Sequence, residues 1–445
     1  MTTAVDDNAV PPRGREPQDP QLRWPPLPAV RTALAHRAAW VLAVSSLVML
    51  LLVWIPACTR SGMVDLRVYR TGSTHLLSGD LYAFRLHLPG PDIFPLPFTY
   101  PPFAAALFLP LSALPFPPAA AAWTAASLLA LVAFVHGSLR LAAPDTPPEQ
   151  HRQRVLLWSA ALMWIEPVTT TLAFGQINLL LAALIVLAVQ QRAAAAAGFG
   201  VGIAAAIKLT PAVTGLYFLI RRRWTAAAWS AVAFFAAAAT GWWLAPGPSR
   251  DFWLHAMGDA ARVGPVGSGL NQSLRGALSR SLGHDVGMSA PWWTATALVG
   301  VLALLAGVRS AQRSDRLGCL LAVQVFGLLA SPISWSHHWV WAIPALFWLL
   351  HTPHRTRWRA AAQAAWVTTL TCHLAFWLVQ LHPRIFSFDY SWPLAVLGWA
   401  YPVCALLTLV ALTAASAPSP APLHAGEAGS PLSLLRVLTA RWPRP

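Results

Sequence analysis

Charge is what this chain has least of. Of its 445 residues, 11% are Asp, Glu, Lys or Arg, where a soluble domain carries about a quarter. With 56% hydrophobic residues, 23 Trp and a mean hydropathy of +0.52, a soluble globular protein is excluded and an all-α polytopic membrane protein is expected. Cysteine is scarce too. Of the four, Cys319, Cys372 and Cys404 fall in apolar runs and only Cys58 lies near a loop, which excludes a disulfide framework or a thiolate metal site. Acids number 16 against 31 Lys and Arg. The net charge of +15 would suit nucleic acid, but the basic residues stand in short clusters between apolar runs, where they act as topology signals instead. A small-residue cleavage site is also missing. Ala38–Ala57 therefore reads as a retained first span, with Arg23, Arg31 and Arg37 holding the preceding tail inside.

What is present falls into a simple order. Residues 1–35, rich in Pro and charge, are expected to form a disordered cytoplasmic tail, 36–413 the membrane domain, and 414–445 an Ala/Pro/Ser-rich inside tail. The first outside loop, 58–99, holds Asp65, Asp80 and Asp92 and two stretches, near 64–78 and 80–88, that read as short surface helices. It ends in Phe98-Thr99-Tyr100-Pro101-Pro102-Phe103, where paired prolines stop any preceding helix. Apolar runs follow at about 103–116, 119–140, 154–172, 177–190, 198–220 and 226–244, then at 291–309, 317–334, 337–350, 360–381 and 393–413, about 10–12 helices in all. Two of these, 103–116 and 177–190, fall short of the roughly 20 residues a span needs. The 198–220 run is interrupted by Lys208-Leu209-Thr210-Pro211. Two arrangements follow: either all three runs span, or the first dips into the membrane and 198–220 is a broken pair of half-helices.

Charge supports the rest of the registration. The inside loops 309–316 and 355–359 carry six Arg against Asp315 alone, whereas the outside loops 57–99, 245–290 and 382–392 carry nine Arg against seven Asp. The spans are almost free of ionisable groups, with Lys208 and Glu166 the exceptions. A channel or proton-coupled carrier keeps such groups at mid-membrane, and a lipid-linked sugar flippase shows internal repeats; this chain gathers its polar chemistry at one face. A non-catalytic envelope-assembly protein would have no use for Asp65.

Four constellations converge there. In Met63-Val64-Asp65-Leu66-Arg67-Val68-Tyr69-Arg70, Asp65 and Tyr69 share a helical face and Arg67 and Arg70 a neighbouring one. Lys208 requires an anion or a wet cavity. Gly269-Leu270-Asn271-Gln272-Ser273-Leu274-Arg275-Gly276 pairs two amides, suited to sugar hydroxyls, with an arginine. Ser334-Trp335-Ser336-His337-His338-Trp339 has adjacent histidines, but neighbouring residues project to different sides of a helix and no carboxylate is near, so a zinc site is not expected.

Together, Val64–Tyr69, Phe98–Phe103, Phe174-Gly175-Gln176-Ile177-Asn178, Ala206–Pro211, Asn271-Gln272-Ser273 and Trp335–Trp339 resemble, in order and character, the actinobacterial polyprenyl-phosphomannose-dependent α-1,2-mannosyltransferases of glycosyltransferase family 87. These are GT-C membrane enzymes that include the phosphatidylinositol-mannoside mannosyltransferase. The resemblance covers roughly 40–410. It implies a polyprenyl-phosphate sugar donor, a glycolipid acceptor and inverting transfer on the outer face of the plasma membrane, with both termini cytoplasmic. Lipid phosphate is already a good leaving group, so the enzyme needs chiefly a base and cations. Asp65 would be that base; Arg67, Lys208, Arg275, His337 and His338 would hold the donor phosphate; Tyr69, Tyr100, Gln176, Asn271 and Gln272 would bind sugar or acceptor. No second acid adjoins Asp65 to make a metal-binding pair, so neither metal nor other cofactor is expected, and no nucleic acid.

Overall fold

A computed structural model describes residues 27–58, 62–87, 95–352 and 356–415. Twenty α-helices, four 3-10 turns and one small two-stranded sheet lie among these residues. Helix α1 (Leu27–Cys58) begins inside the stretch expected to be disordered; residues 1–26 and 416–445 of the two tails lie outside the described residues. In the loop after α1, α2 (Val64–Ser73) is one of the two expected surface helices. The other, near 80–88, is not a helix. Turns at 81–83 lead into strand β1 (Arg85–Leu86), antiparallel to β2 (Leu96–Pro97).

Helix α3 (Pro102–Phe108) and a 3-10 turn (Leu109–Ala113) follow, seven and five residues long. They reach roughly 20 Å, short of the ~30 Å hydrocarbon core. Next come α4 (Phe116–Ala142), α5 (Pro148–Leu162), α6 (Glu166–Phe174), α7 (Asn178–Gln190) and α8 (Ala194–Ile207). The 198–220 run is indeed divided. Helix α8 stops at Lys208, a 3-10 turn occupies Thr210–Thr214 around Pro211, and α9 (Gly215–Ile220) resumes. Helices α10 (Trp224–Leu244), α11 (Pro246–Leu254), α12 (Ala260–Val263) and α13 (Leu274–Leu282) lead to α14 (Ala290–Gln312) and α15 (Arg316–Ala330). The chain ends in α16 (Ala342–His351), α17 (Arg357–Thr371), α18 (Leu374–Leu381), α19 (Trp392–Leu397) and α20 (Ala400–Ala414).

Among the described residues, four helices are long and apolar enough to cross a membrane, or six if each bent pair is one span. The other apolar segments are 10–17 residues long, because prolines and Lys208 interrupt the runs. The two bends hold each other. Between α5 and α6 the axis turns 71°, and between α17 and α18 it turns 53°. Glu166, fully buried at the first bend, accepts hydrogen bonds from the Ala375 and Phe376 amides of α18 (3.2 and 3.0 Å) and from the Tyr401 hydroxyl (3.1 Å). The acid thus satisfies a helix N-terminus that bending would leave orphaned. Elsewhere small residues set the spacing: a Cβ on Gly198 or Gly202 of α8 would collide with the Ala226 or Ser230 carbonyl of α10, the close approach that Gly four apart permits.

Candidate active site

Helix α2 is placed by α6. Met63, in a left-handed conformation (φ 53°) ahead of α2, donates its amide to Ala173 O (3.1 Å), and Gly175 (φ +69°) ends α6 where a side chain would strike Leu66 Cβ. That contact brings Gln176 against the face of α2 that carries Asp65 and Tyr69. Gln176 Oε1 accepts from Tyr69 Oη (2.9 Å), Tyr100 Oη (3.1 Å) and Lys208 Nζ (3.5 Å). With its carbonyl so engaged, the amide's N–H side serves the Asp65 carboxylate. The two tyrosine hydroxyls are 2.7 Å apart, and Tyr69 stacks on Phe108 of α3 at 4.5 Å.

These groups open into a cavity of about 320 Å³, lined by Asp65, Tyr69, Tyr100, Gln176, Lys208 and His338 from the expected set, with Tyr82's neighbours Phe252 and Arg262, and Trp335, closing other walls. Lys208, in extended conformation at the end of α8, donates from Nζ to Asn178 Oδ1 (2.9 Å) and to His338 Nε2 (3.2 Å), and its ammonium lies 5.3 Å from the Tyr100 ring centre. Because His338 Nε2 accepts, the neutral ring carries its proton on Nδ1. Asp65 is pushed up to about 6, chiefly by burial, against the hydrogen bond from Gln176 and the Lys208 charge, which both act the other way. Burial, then the Asp65 charge, hold the Tyr100 phenol well above its ordinary range, so it stays a neutral donor.

The remaining expected residues do not line this cavity. Arg67 donates Nε to Gly62 O (2.9 Å) and lies over the Phe116 ring at 3.7 Å. Its neighbour Arg70 caps the 3-10 turn through the Leu111, Ser112 and Leu114 carbonyls. Arg275 forms a two-point ion pair with Asp285 (2.9 and 2.7 Å), which holds that carboxyl below its usual range. His337 is buried with its ring against Phe174 and His338, and its carbonyl accepts from Asn178 Nδ2 at 2.9 Å. Asn271 bonds Val266 O, Pro332 O and the amides of Ser273 and Ser334, and Gln272 bonds Gly269 O and, through its own amide, Ser334 O. The Asn-Gln-Ser motif is a brace between two loops, and it supports the wall formed by Pro332, Ile333 and Trp335. Among the described residues, no three His, Cys, Asp or Glu side chains approach closely enough to hold a metal.

Arg262 is the cavity residue that sequence reasoning passed over. It follows Asp259, whose Oδ1 caps the short helix α12 at the Ala261 and Arg262 amides, and in the sequence it is one of several loop arginines with no distinguishing neighbour. For Lys208 there was an unused signal: it is the chain's single lysine, every other side chain among the 31 Lys and Arg being arginine.

A family model described as Glycosyltransferase family 87 matches residues 98–332, a stretch that includes Tyr100, Gln176, Lys208 and Arg262 and begins after Asp65. The polyprenol-phosphate-mannose-dependent alpha-(1-2)-phosphatidylinositol pentamannoside mannosyltransferase of Mycolicibacterium smegmatis is 42% identical over 352 residues, 78% of this chain and 84% of the relative. Its namesake from Mycobacterium tuberculosis is also 42% identical, over 78% of this chain and 80% of the relative. A polyprenol-phosphate-mannose-dependent alpha-(1-2)-phosphatidylinositol mannoside mannosyltransferase of M. tuberculosis is 35% identical over 64% of this chain and 69% of its own length. No solved structure matches the chain.

Proposed function

The chain belongs to glycosyltransferase family 87, and from that premise we propose that it moves a mannosyl unit from a polyprenyl-phosphate donor to a phosphatidylinositol mannoside, with inversion, forming an α-1,2 linkage. Asp65 is the general base. The observation that carries this is its setting: a recessed carboxylate, raised toward neutrality, at a cavity edge and oriented by Gln176. The acceptor hydroxyl gives its proton to Asp65 as its oxygen attacks the anomeric carbon. Lys208 and His338 supply a cation and a polar ring beside the base, and Tyr100 a donor for sugar hydroxyls or the ring oxygen.

The donor and acceptor assignments rest on the relatives' names. The cavity faces the outer side of the plasma membrane and both termini the cytoplasm, because the loops at 309–316 and 355–359 are strongly basic while those at 57–99 and 245–290 are balanced. The reaction needs no divalent ion, since lipid phosphate departs readily and the cavity's second acid, Asp259, is engaged as a helix cap.

The test is transfer of labelled mannose from polyprenyl phosphomannose to purified phosphatidylinositol mannosides, comparing the wild type with Asp65→Asn at equal expression. Labelled product from the wild type, with a loss on the order of 10²- to 10⁴-fold in the variant, is expected. Unchanged transfer by Asp65→Asn would remove the base assignment, and no transfer by the wild type would remove the donor or acceptor.

A further inference from the structure

Inversion constrains where the leaving group stands. The acceptor oxygen enters on one side of the anomeric carbon and the phosphate departs on the other, so the base and the cation that receives the phosphate lie across the sugar from each other. Lys208 is on the base's side: its Nζ approaches Gln176, the amide that bonds Asp65. Among the described residues, the other Lys or Arg lining the cavity is Arg262.

Tyr100 and Tyr82 separate Arg262 from the base. The Tyr100 hydroxyl sits in the Asp65 network, while its backbone carbonyl accepts the Tyr82 hydroxyl at 2.7 Å. Tyr82 in turn holds the guanidinium, which donates to Tyr82 O (2.5 Å) and Phe98 O (3.3 Å) and lies 5.4 Å from the Tyr82 ring centre. Backbone carbonyls fix the group without neutralising it. No carboxylate comes within ion-pair distance of it among the described residues, and its Nε is buried without a partner. Burial and the nearby Arg85 both weigh against its charge, with Asp259 a weaker counterweight. A cation in this condition is pre-positioned for an anion.

An apolar surface adjoins this end of the cavity. Phe252 of α11 packs on Tyr82 with ring centres 5.6 Å apart. The next residue, Trp253, lines a separate apolar groove of about 300 Å³ with Phe234, Phe235 and Trp242. A phosphate at Arg262 therefore has apolar surface for an attached isoprenoid chain one residue beyond the cavity wall.

We propose that Arg262 forms the subsite for the donor's phosphate, on the far side of Tyr100 from Asp65, with the polyprenyl chain leaving toward the Phe234–Trp253 groove. This rests on the lipid-phosphate donor of the preceding reading. In the step, the acceptor oxygen–C1 bond forms and the C1–phosphate oxygen bond breaks. The proton goes to Asp65, and the electron pair leaves with the phosphate, whose added negative charge Arg262 compensates.

The experiment measures binding of farnesyl phosphate, with farnesol as the uncharged control, to the purified full chain in nanodiscs for the wild type, Arg262→Gln, Arg262→Lys and Lys208→Met. Farnesyl phosphate is expected to bind Arg262→Gln on the order of 10- to 100-fold more weakly than wild type, with Arg262→Lys intermediate and the loss in Lys208→Met smaller than that in Arg262→Gln. Farnesol binding is expected to stay level throughout, which separates a lost anion contact from a lost fold. Wild-type affinity in Arg262→Gln with the loss appearing in Lys208→Met would overturn the subsite and leave the donor reading standing. Equal losses of phosphate and alcohol in both Arg262 variants would make the residue a purely structural pin. A wild type that prefers farnesyl phosphate no more than farnesol would overturn the subsite and the lipid-phosphate donor together.

Discussion

At the scale of the residue, the proposed chemistry rests on one carboxylate and one amide. Asp65 accepts a proton only when ionised, and its carboxyl is raised to about 6, so kcat/KM is expected to fall about tenfold per pH unit below that value and to level off above it. A pH–rate profile flat down to pH 4.5 would contradict this. Gln176 bonds the ionised form and so lowers the Asp65 value. Gln176→Leu is therefore expected to move the midpoint to higher pH, and an unmoved or lowered midpoint would show that Gln176 does not orient the base. A chelator is expected to leave the rate unchanged; loss restored by magnesium or manganese would reverse that expectation. How much of the site was legible depended on the kind of relation involved. The four-residue spacing of Asp65 and Tyr69 is a property of any helix, and both do line the cavity. Asn271 and Arg275 have the chemistry for sugar and phosphate, but the directions of their side chains are set by loop partners, Ser334 and Asp285, that are remote or unmarked in sequence.

At the scale of the element, the helices are short and bent where the sequence places proline or charge, and the joints are locked by single side chains. Glu166, a mid-membrane acid that could suggest a transported ion, instead bonds α18 and Tyr401 across the two bends. Glu166→Leu leaves two amides and a hydroxyl unsatisfied in a buried place and is expected to cost about 3 kcal/mol, with Glu166→Gln costing less than half as much, read as thermal unfolding in detergent. Equal stability of the two variants would deny the joint. The α8–α10 contact gives a second expectation: Gly202→Leu forces apart backbones that a Cβ would already strike and is expected to cost about 1–3 kcal/mol, where Gly215→Ala, whose Cβ would meet nothing, is expected to be near neutral. Many helices begin with proline in their first turn, among them α3, α4, α5, α6 and α14, where it loses no hydrogen bond; the run expected over 154–172 is in fact α5 and α6, divided before Glu166-Pro167.

At the scale of the whole molecule, the cavity joins elements far apart in the chain: α2 after the first span, Gln176 after α6, Lys208 after α8, Arg262 on the short helix α12, and His338 in the 3-10 turn before α16. Gln176 and Lys208 stand where α6 and α8 stop, whereas Asp65 and Arg262 project from the short helices α2 and α12, so the site is assembled at breaks and on short elements rather than on the long spans. The membrane class and the positions of the apolar runs were determined by the sequence alone, because burial in lipid demands continuous apolar stretches and basic flanks that are written locally. The division of 198–220 into half-helices was left open by those same rules, and the structure decided it at Lys208 and Pro211. Only the tertiary structure separated the Arg262 that lines the cavity from the Arg67 and Arg275 that do not, since a long side chain's partner is chosen by what packs beside it, and that is a property of the assembled fold.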